Sequence, residues 1–70
     1  MNAYESRANS ILQQFPAYRY LSSSKQDEAR LFLCEYWITG KEQALLDLHA
    51  TLAPDEERGA WVYQMKAKCR

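Results

Sequence analysis

Three residues of the chain, Cys34, His49 and Cys69, carry side chains of the type that bind transition metals. A structural zinc site needs four thiolate or imidazole ligands, usually at short spacings such as C-x-x-C or H-x-x-x-H. Neither spacing occurs in this sequence. We therefore predict no metal and no cofactor, and we interpret the two cysteines as reduced thiols rather than as a disulfide, with Cys34 as a small core residue.

Nucleophilic catalysis would have to use His49 as the base and a serine of the Ser22 to Ser24 run, or a cysteine, as the nucleophile. No G-x-S-x-G elbow and no glycine-rich phosphate loop accompanies them. The serines are better explained as helix caps. Grouped carboxylates at residues 27–28 and 55–57 fall in predicted first turns of helices, where the helix dipole explains them. The sequence therefore predicts that the protein is not an enzyme.

Composition predicts a single small folded domain that spans residues 1–70. An apolar fraction of 47% suffices for a core, although a chain of 70 residues lies near the lower limit for one. Nine basic and nine acidic residues cancel, so no long-range field attracts nucleic acid or anionic lipid. With no secretory pattern and no apolar run of about 18 residues, we expect a cytoplasmic protein that does not enter a membrane.

The hydrophobic pattern predicts an all-α fold, because no segment alternates with a period of two. We expect a compact bundle of three to four short helices, for which homodimerisation is a further way of completing the core. Caps and breakers set the predicted bounds. The four predicted helices run from Asn2 to Gln14 or Phe15, from Ser24 or Lys25 to Ile38 or Thr39 before Gly40, from Lys41 to Leu52, and from Pro54, at the first helical position, to Cys69.

The second predicted helix is apolar on two opposite sides between residues 29 and 38. One face carries Ala29, Phe32, Leu33, Tyr36 and Trp37, and the other carries Leu31, Cys34 and Ile38. A helix that is apolar all round is commonly enclosed by its own chain. Equally, Leu31, Cys34 and Ile38 could form the interface of a homodimer. The sequence leaves both alternatives open.

The link at residues 17–24 is predicted to be non-helical, and its aromatic content is unusual for a connector. Tyrosine and arginine are enriched in the energetically dominant positions of interfaces. We therefore predict that Tyr18, Arg19 and Tyr20 bind a protein partner, with both rings on the same side of an extended segment. The alternative is that Tyr18 and Tyr20 wedge between helix ends.

These features favour a small non-catalytic protein that acts by binding another protein of unknown identity. Regulators, inhibitors and accessory factors, including those of phages and mobile elements, have this character. The alternative is a helix-turn-helix regulator of DNA built from the second and third predicted helices. Against it, Glu42 and Asp47 would place negative charge on the recognition helix.

Overall fold

A computed structural model describes residues 2–70, and within them all regular structure is helical. The helices are α1 (Ala3–Leu12), α2 (Pro16–Arg19), α3 (Ser23–Thr39), α4 (Glu42–Leu52) and α5 (Arg58–Lys68). The all-α prediction is confirmed. As the sequence predicts, Asn2 caps α1, since its Oδ1 accepts a hydrogen bond from the Glu5 amide at 2.8 Å.

The short helix α2 corrects the prediction that the link after Pro16 is non-helical. Phe15 is extended, with φ −101° and ψ 117°, as a residue before proline should be. Pro16 then occupies the first turn of a new helix, where its fixed φ is favourable and its missing N–H costs nothing. One proline therefore separates two helices and begins the second of them.

The bounds of α3 and α4 agree closely with the predicted ones. Ser22 caps α3, because its hydroxyl accepts a hydrogen bond from the Lys25 amide. Gly40 ends α3 in the left-handed region at φ 71°, and its amide donates to the Tyr36 carbonyl at 2.8 Å. The chain reverses there and enters α4.

The start of α5 differs from the prediction, since Pro54 does not begin a helix. Residues 54–56 form a turn in which the Glu56 amide donates to the Ala53 carbonyl at 3.0 Å. The carboxylate of Glu57 then accepts hydrogen bonds from the amides of Gly59 and Ala60, so that α5 begins at Arg58. A Cβ atom at position 59 would lie 3.2 Å from Oε1 of Glu57, so the glycine leaves room for this cap.

The core lies where α3 packs against α1 on one side and α4 on the other, with α5 packed against α4. The largest fully buried side chains are Leu12, Tyr18, Leu33, Leu45, Leu48 and Met65. The buried side chains of α4 are Ala44, Leu45, Leu48, His49 and Leu52, and those of α5 are Trp61, Val62 and Met65. Because α1 and α4 cover only two sides of α3, its third side faces solvent. Of the two alternatives that the sequence left open, complete enclosure of the helix by its own chain is therefore not the one observed.

Candidate interaction surface

The solvent-facing side of α3 carries two large apolar side chains, Leu31 and Ile38, which are 59% and 72% exposed. They lie seven residues apart, which is about two helical turns or 10 Å, and therefore share one face. Cys34 lies on the same side but is buried. Burial raises the pKa of its thiol, and the charge of Glu5 raises it further. Of the three residues predicted for a dimer interface, two are therefore available to a partner.

Carboxylates surround this pair of apolar side chains. Glu35 lies one turn beyond Leu31 on the same face and is exposed. Asp27 and Glu28 lie one turn before Leu31. On the α1 side, Glu5 reaches an open groove of about 320 Å³ that is lined by Glu5, Asp27, Arg30 and Leu31. We call the set Glu5, Asp27, Glu28, Leu31, Glu35 and Ile38 the α3 face.

Two cations neutralise part of this negative charge. Lys25 Nζ lies 3.1 Å from an oxygen of Glu28, and Arg30 pairs with Asp27. Within residues 2–70, neither Glu5 nor Glu35 takes part in an ion pair. The four carboxylates of the α3 face, counted together with the adjacent Lys25 and Arg30, give a net charge of −2. The sequence analysis predicted no long-range field because the whole chain is neutral, but this side of the molecule is acidic.

Several cations lie at the C-terminal end of α5. Arg7 of α1 donates hydrogen bonds to the carbonyls of Cys69 at 3.0 Å and Arg70 at 2.9 Å. Lys66 and Lys68 lie in the last turn of α5, where their positive charges interact favourably with the negative end of the helix dipole. Of these cations, Lys66 is paired with Glu42 at 3.0 Å. Charge is thus segregated over the surface although it sums to zero.

Tyr18 is part of the core, which corrects its assignment to a partner-binding site. Its ring is fully buried, and its hydroxyl donates to Asn9 Oδ1 at 2.9 Å and accepts from Arg30 Nη1 at 2.7 Å. The hydrogen bond with Tyr18 raises the pKa of Arg30 further above its ordinary value. The carbonyl of Tyr18 accepts another hydrogen bond from Gln26 Nε2 at 2.9 Å. Tyr18 therefore joins α1, α2 and α3.

Tyr20, by contrast, is 90% exposed, so the prediction that Tyr18 and Tyr20 are presented together is wrong. The segment is helical rather than extended, and residues two apart on a helix point to different sides. Arg19 is exposed, and its guanidinium donates to the Gln13 carbonyl at 3.0 and 3.2 Å, which holds it against the end of α1. Of this predicted site, only Arg19 and Tyr20 remain at the surface.

The side chains considered for metal binding and catalysis are engaged in the fold. His49 is buried, donates from Nε2 to the Glu56 carbonyl at 2.8 Å, and packs edge-on against Trp61. Burial raises the pKa of Cys69 more than nearby Arg7 lowers it. Ser22 caps α3. Across the described part of the chain, no three histidine, cysteine or carboxylate side chains come together in a way that would hold a metal ion.

Comparison with known proteins reveals no relative: no family model matches the chain, and no curated protein or solved structure matches it significantly. None of the helices within residues 2–70 combines the length and the apolar character that crossing a membrane requires.

The sequence analysis missed the acidic residues of the α3 face, because it assigned Asp27 and Glu28 to the helix dipole. A signal for them was present: Glu28 and Glu35 have the same seven-residue spacing as Leu31 and Ile38. Glu5 gave no such signal. Its position in the groove depends on which side of α1 packs against α3, and that is a property of the tertiary structure.

Proposed function

We propose that this protein acts by binding another protein and that the α3 face is its contact surface. The observation that carries the proposal is the exposure of Leu31 and Ile38 on one side of a 17-residue helix. Single exposed apolar residues are normal on protein surfaces. Two of them aligned on a rigid helix and bordered by charged residues match the apolar centre and polar rim of an interface. A regulator, an inhibitor or an accessory factor would act in this way.

Several features support a non-catalytic role. The groove between α1 and α3 contains Arg30 and Asp27, but they are paired with each other and Arg30 is also bonded to Tyr18. Neither is therefore free to transfer a proton to a substrate. The two thiols are buried and have raised pKa values, which makes them poor nucleophiles. Free buried thiols also suit a reducing compartment, and we propose the cytoplasm.

The alternative to a protein partner is a homodimer that forms through the same α3 face. Antiparallel pairing of two α3 helices about a two-fold axis would bring Leu31 of each copy against Ile38 of the other. Such an axis would pass near Glu35, which lies between these two residues, and would bring two carboxylates together. We therefore favour a partner with a different sequence over a second copy.

The helix-turn-helix alternative is not favoured. In that arrangement α4 would enter the major groove of DNA. The exposed side of α4 carries Glu42 and Gln43, with Asp47 partly exposed and bonded to Gln43 at 3.0 Å. Negative charge at this position would be repelled by phosphate.

The proposal is tested by affinity capture with three immobilised baits: wild type, the Leu31→Asp, Ile38→Asp double variant, and Tyr63→Ala. Tyr63 is a large apolar residue on α5 that is 73% exposed, so its removal controls for a general loss of surface hydrophobicity. We expect a protein that wild type and Tyr63→Ala both retain and that the double variant loses. Equal retention by all three baits, with circular dichroism showing that each is folded, would contradict the proposal.

A further inference from the structure

The charge on the α3 face restricts the kind of partner that can bind there. Asp27 and Glu28 are paired with Arg30 and Lys25, whereas Glu5, which lines the groove together with Arg30, and Glu35 form no ion pair among the described residues. These two carboxylates flank Leu31 from different directions, Glu5 across the groove on α1 and Glu35 one turn along α3. Complementary charge across an interface determines specificity and association rate. An acidic or neutral segment would leave both carboxylates uncompensated.

The shape of the face restricts the partner further. Leu31 and Ile38 lie about 10 Å apart along α3. The same distance corresponds to about two turns of a second helix packed alongside α3. A peptide that binds by adding a strand to the edge of a sheet finds no such edge here, because residues 2–70 contain no sheet. An amphipathic helix, in contrast, contacts such a surface through apolar side chains that recur every three, four or seven residues.

From these observations we infer that the α3 face binds a basic amphipathic helix of a partner protein. This inference rests on the proposed function and specifies the partner's chemistry. Apolar side chains of that helix cover Leu31 and Ile38, and lysine or arginine side chains beside them meet Glu5 and Glu35. The open groove accommodates one long basic side chain, whose methylene groups pack on Leu31 while its charge approaches Glu5. Arg30 does not oppose this arrangement strongly, because Asp27 already neutralises it.

The test is a selection from a phage-displayed library of helical peptides in which the side chains of one face are randomised. Wild type is the first target and the Glu5→Lys, Glu35→Lys double variant is the second. Both substitutions lie at sites that are at least partly exposed, so the variant is expected to fold. Asp55→Lys, Glu56→Lys changes the net charge equally at the turn before α5 and serves as the matched control.

Peptides selected on wild type are expected to carry apolar residues flanked by lysine and arginine. Their affinity, measured by fluorescence anisotropy at low salt, should fall about tenfold for the Glu5→Lys, Glu35→Lys variant and stay unchanged for the control. Added salt should reduce the difference, because exposed charges are screened. Selection on the double variant should no longer enrich basic residues.

Two further results separate the inference from the proposed function. If selected peptides require Leu31 and Ile38 but are not enriched in basic residues, the face binds proteins and the inference about charge is wrong. If binding is insensitive to Leu31→Ala, Ile38→Ala, the proposed function and the inference both fail at this face. Sedimentation equilibrium of the wild type should give a mass near 8.2 kDa. A doubled mass that the same two substitutions abolish would identify a second copy as the occupant and overturn the inference.

Discussion

The Tyr18 hydroxyl accepts a hydrogen bond from Nη1 of Arg30 at 2.7 Å, at a site where the tyrosine is completely buried. This contact connects the one-turn helix α2 to the long helix α3 and holds Arg30 in the groove beside Leu31. The same hydroxyl donates to Asn9 of α1 at 2.9 Å. A residue in the aromatic link between helices therefore fixes the relative positions of the helices that form the α3 face.

The substitution Tyr18→Phe should lower stability with little change of shape. It keeps the buried ring but leaves Arg30 Nη1 and Asn9 Oδ1 each without this hydrogen bond. The expected loss is about 1–3 kcal/mol, which in so small a domain lowers Tm by roughly 5 °C or more. Thermal unfolding followed by circular dichroism measures it. The control is Tyr20→Phe, at an exposed site, which should leave Tm unchanged. Equal Tm values for both variants and the wild type would show that the two hydrogen bonds of the Tyr18 hydroxyl do not stabilise the fold.

Two leucines on α3 should differ sharply in their contribution to stability. Leu33→Ala removes a fully buried side chain and should cost about 2–5 kcal/mol. Leu31→Ala changes an exposed residue to a better helix former and should alter the free energy of unfolding by less than about 0.5 kcal/mol. Urea denaturation of both variants provides the comparison. A large loss for Leu31→Ala would mean that the residue is covered in solution, against the exposure found here.

The turn between α3 and α4 should require glycine for its backbone conformation alone. Gly40 has φ 71°, and no atom lies within 4 Å of the position that a Cβ would occupy. Gly40→Ala should therefore cost about 1 kcal/mol from backbone strain, while Gly40→Asn should cost less because asparagine tolerates the left-handed region better. Melting temperatures in the order glycine, asparagine, alanine are expected. The reverse order of the two variants would contradict this explanation.

The cap of α5 should make stability depend on acid pH. Hydrogen bonds from the amides of Ala60 and Gly59 lower the pKa of Glu57 below its ordinary value of 4.5. A lowered pKa in the folded state means that the charged cap stabilises the protein above pH 4.5 and that this contribution is lost as the pH falls through the folded-state pKa. Glu57→Gln should therefore have a lower Tm than the wild type at pH 7. The Tm values of the two proteins should converge as the pH is lowered. A difference in Tm that persists unchanged at pH 2 would contradict the assignment.

Much of the fold follows from local signals in the sequence. Local signals bracket α3, because a hydroxyl cap from the Ser22 to Ser24 run and a left-handed glycine at position 40 act within a few residues. The structure selects Ser22 as the cap among the three serines. Two local signals compete at the start of α5, where both Pro54 and Glu57 can open a helix. The sequence gives no means to rank them. Helix α2 has only four residues, which is too short for hydrophobic periodicity to reveal.

The candidate site was predictable only in part, because exposure depends on how helices pack. The spacing of Leu31 and Ile38 places them on one face, but only the positions of α1 and α4 leave that face open. The position of Tyr18 depends on Asn9 and Arg30, which lie 9 and 12 residues away along the chain. No local pattern connects these three residues. The acidic character of the face likewise requires Glu5 from a different helix.

The most direct test of the central claim is an NMR titration of the ¹⁵N-labelled protein with the tightest peptide from the wild-type selection. The account predicts that the amide shifts concentrate on the exposed side of α3 between residues 27 and 39 and near Glu5, with α5 little affected. Leu31→Ala, Ile38→Ala should abolish these shifts, and Tyr63→Ala should preserve them. Shifts that concentrate on α5 or on the turn at residues 54–56, with α3 unchanged, would contradict the assignment of the α3 face as the binding surface.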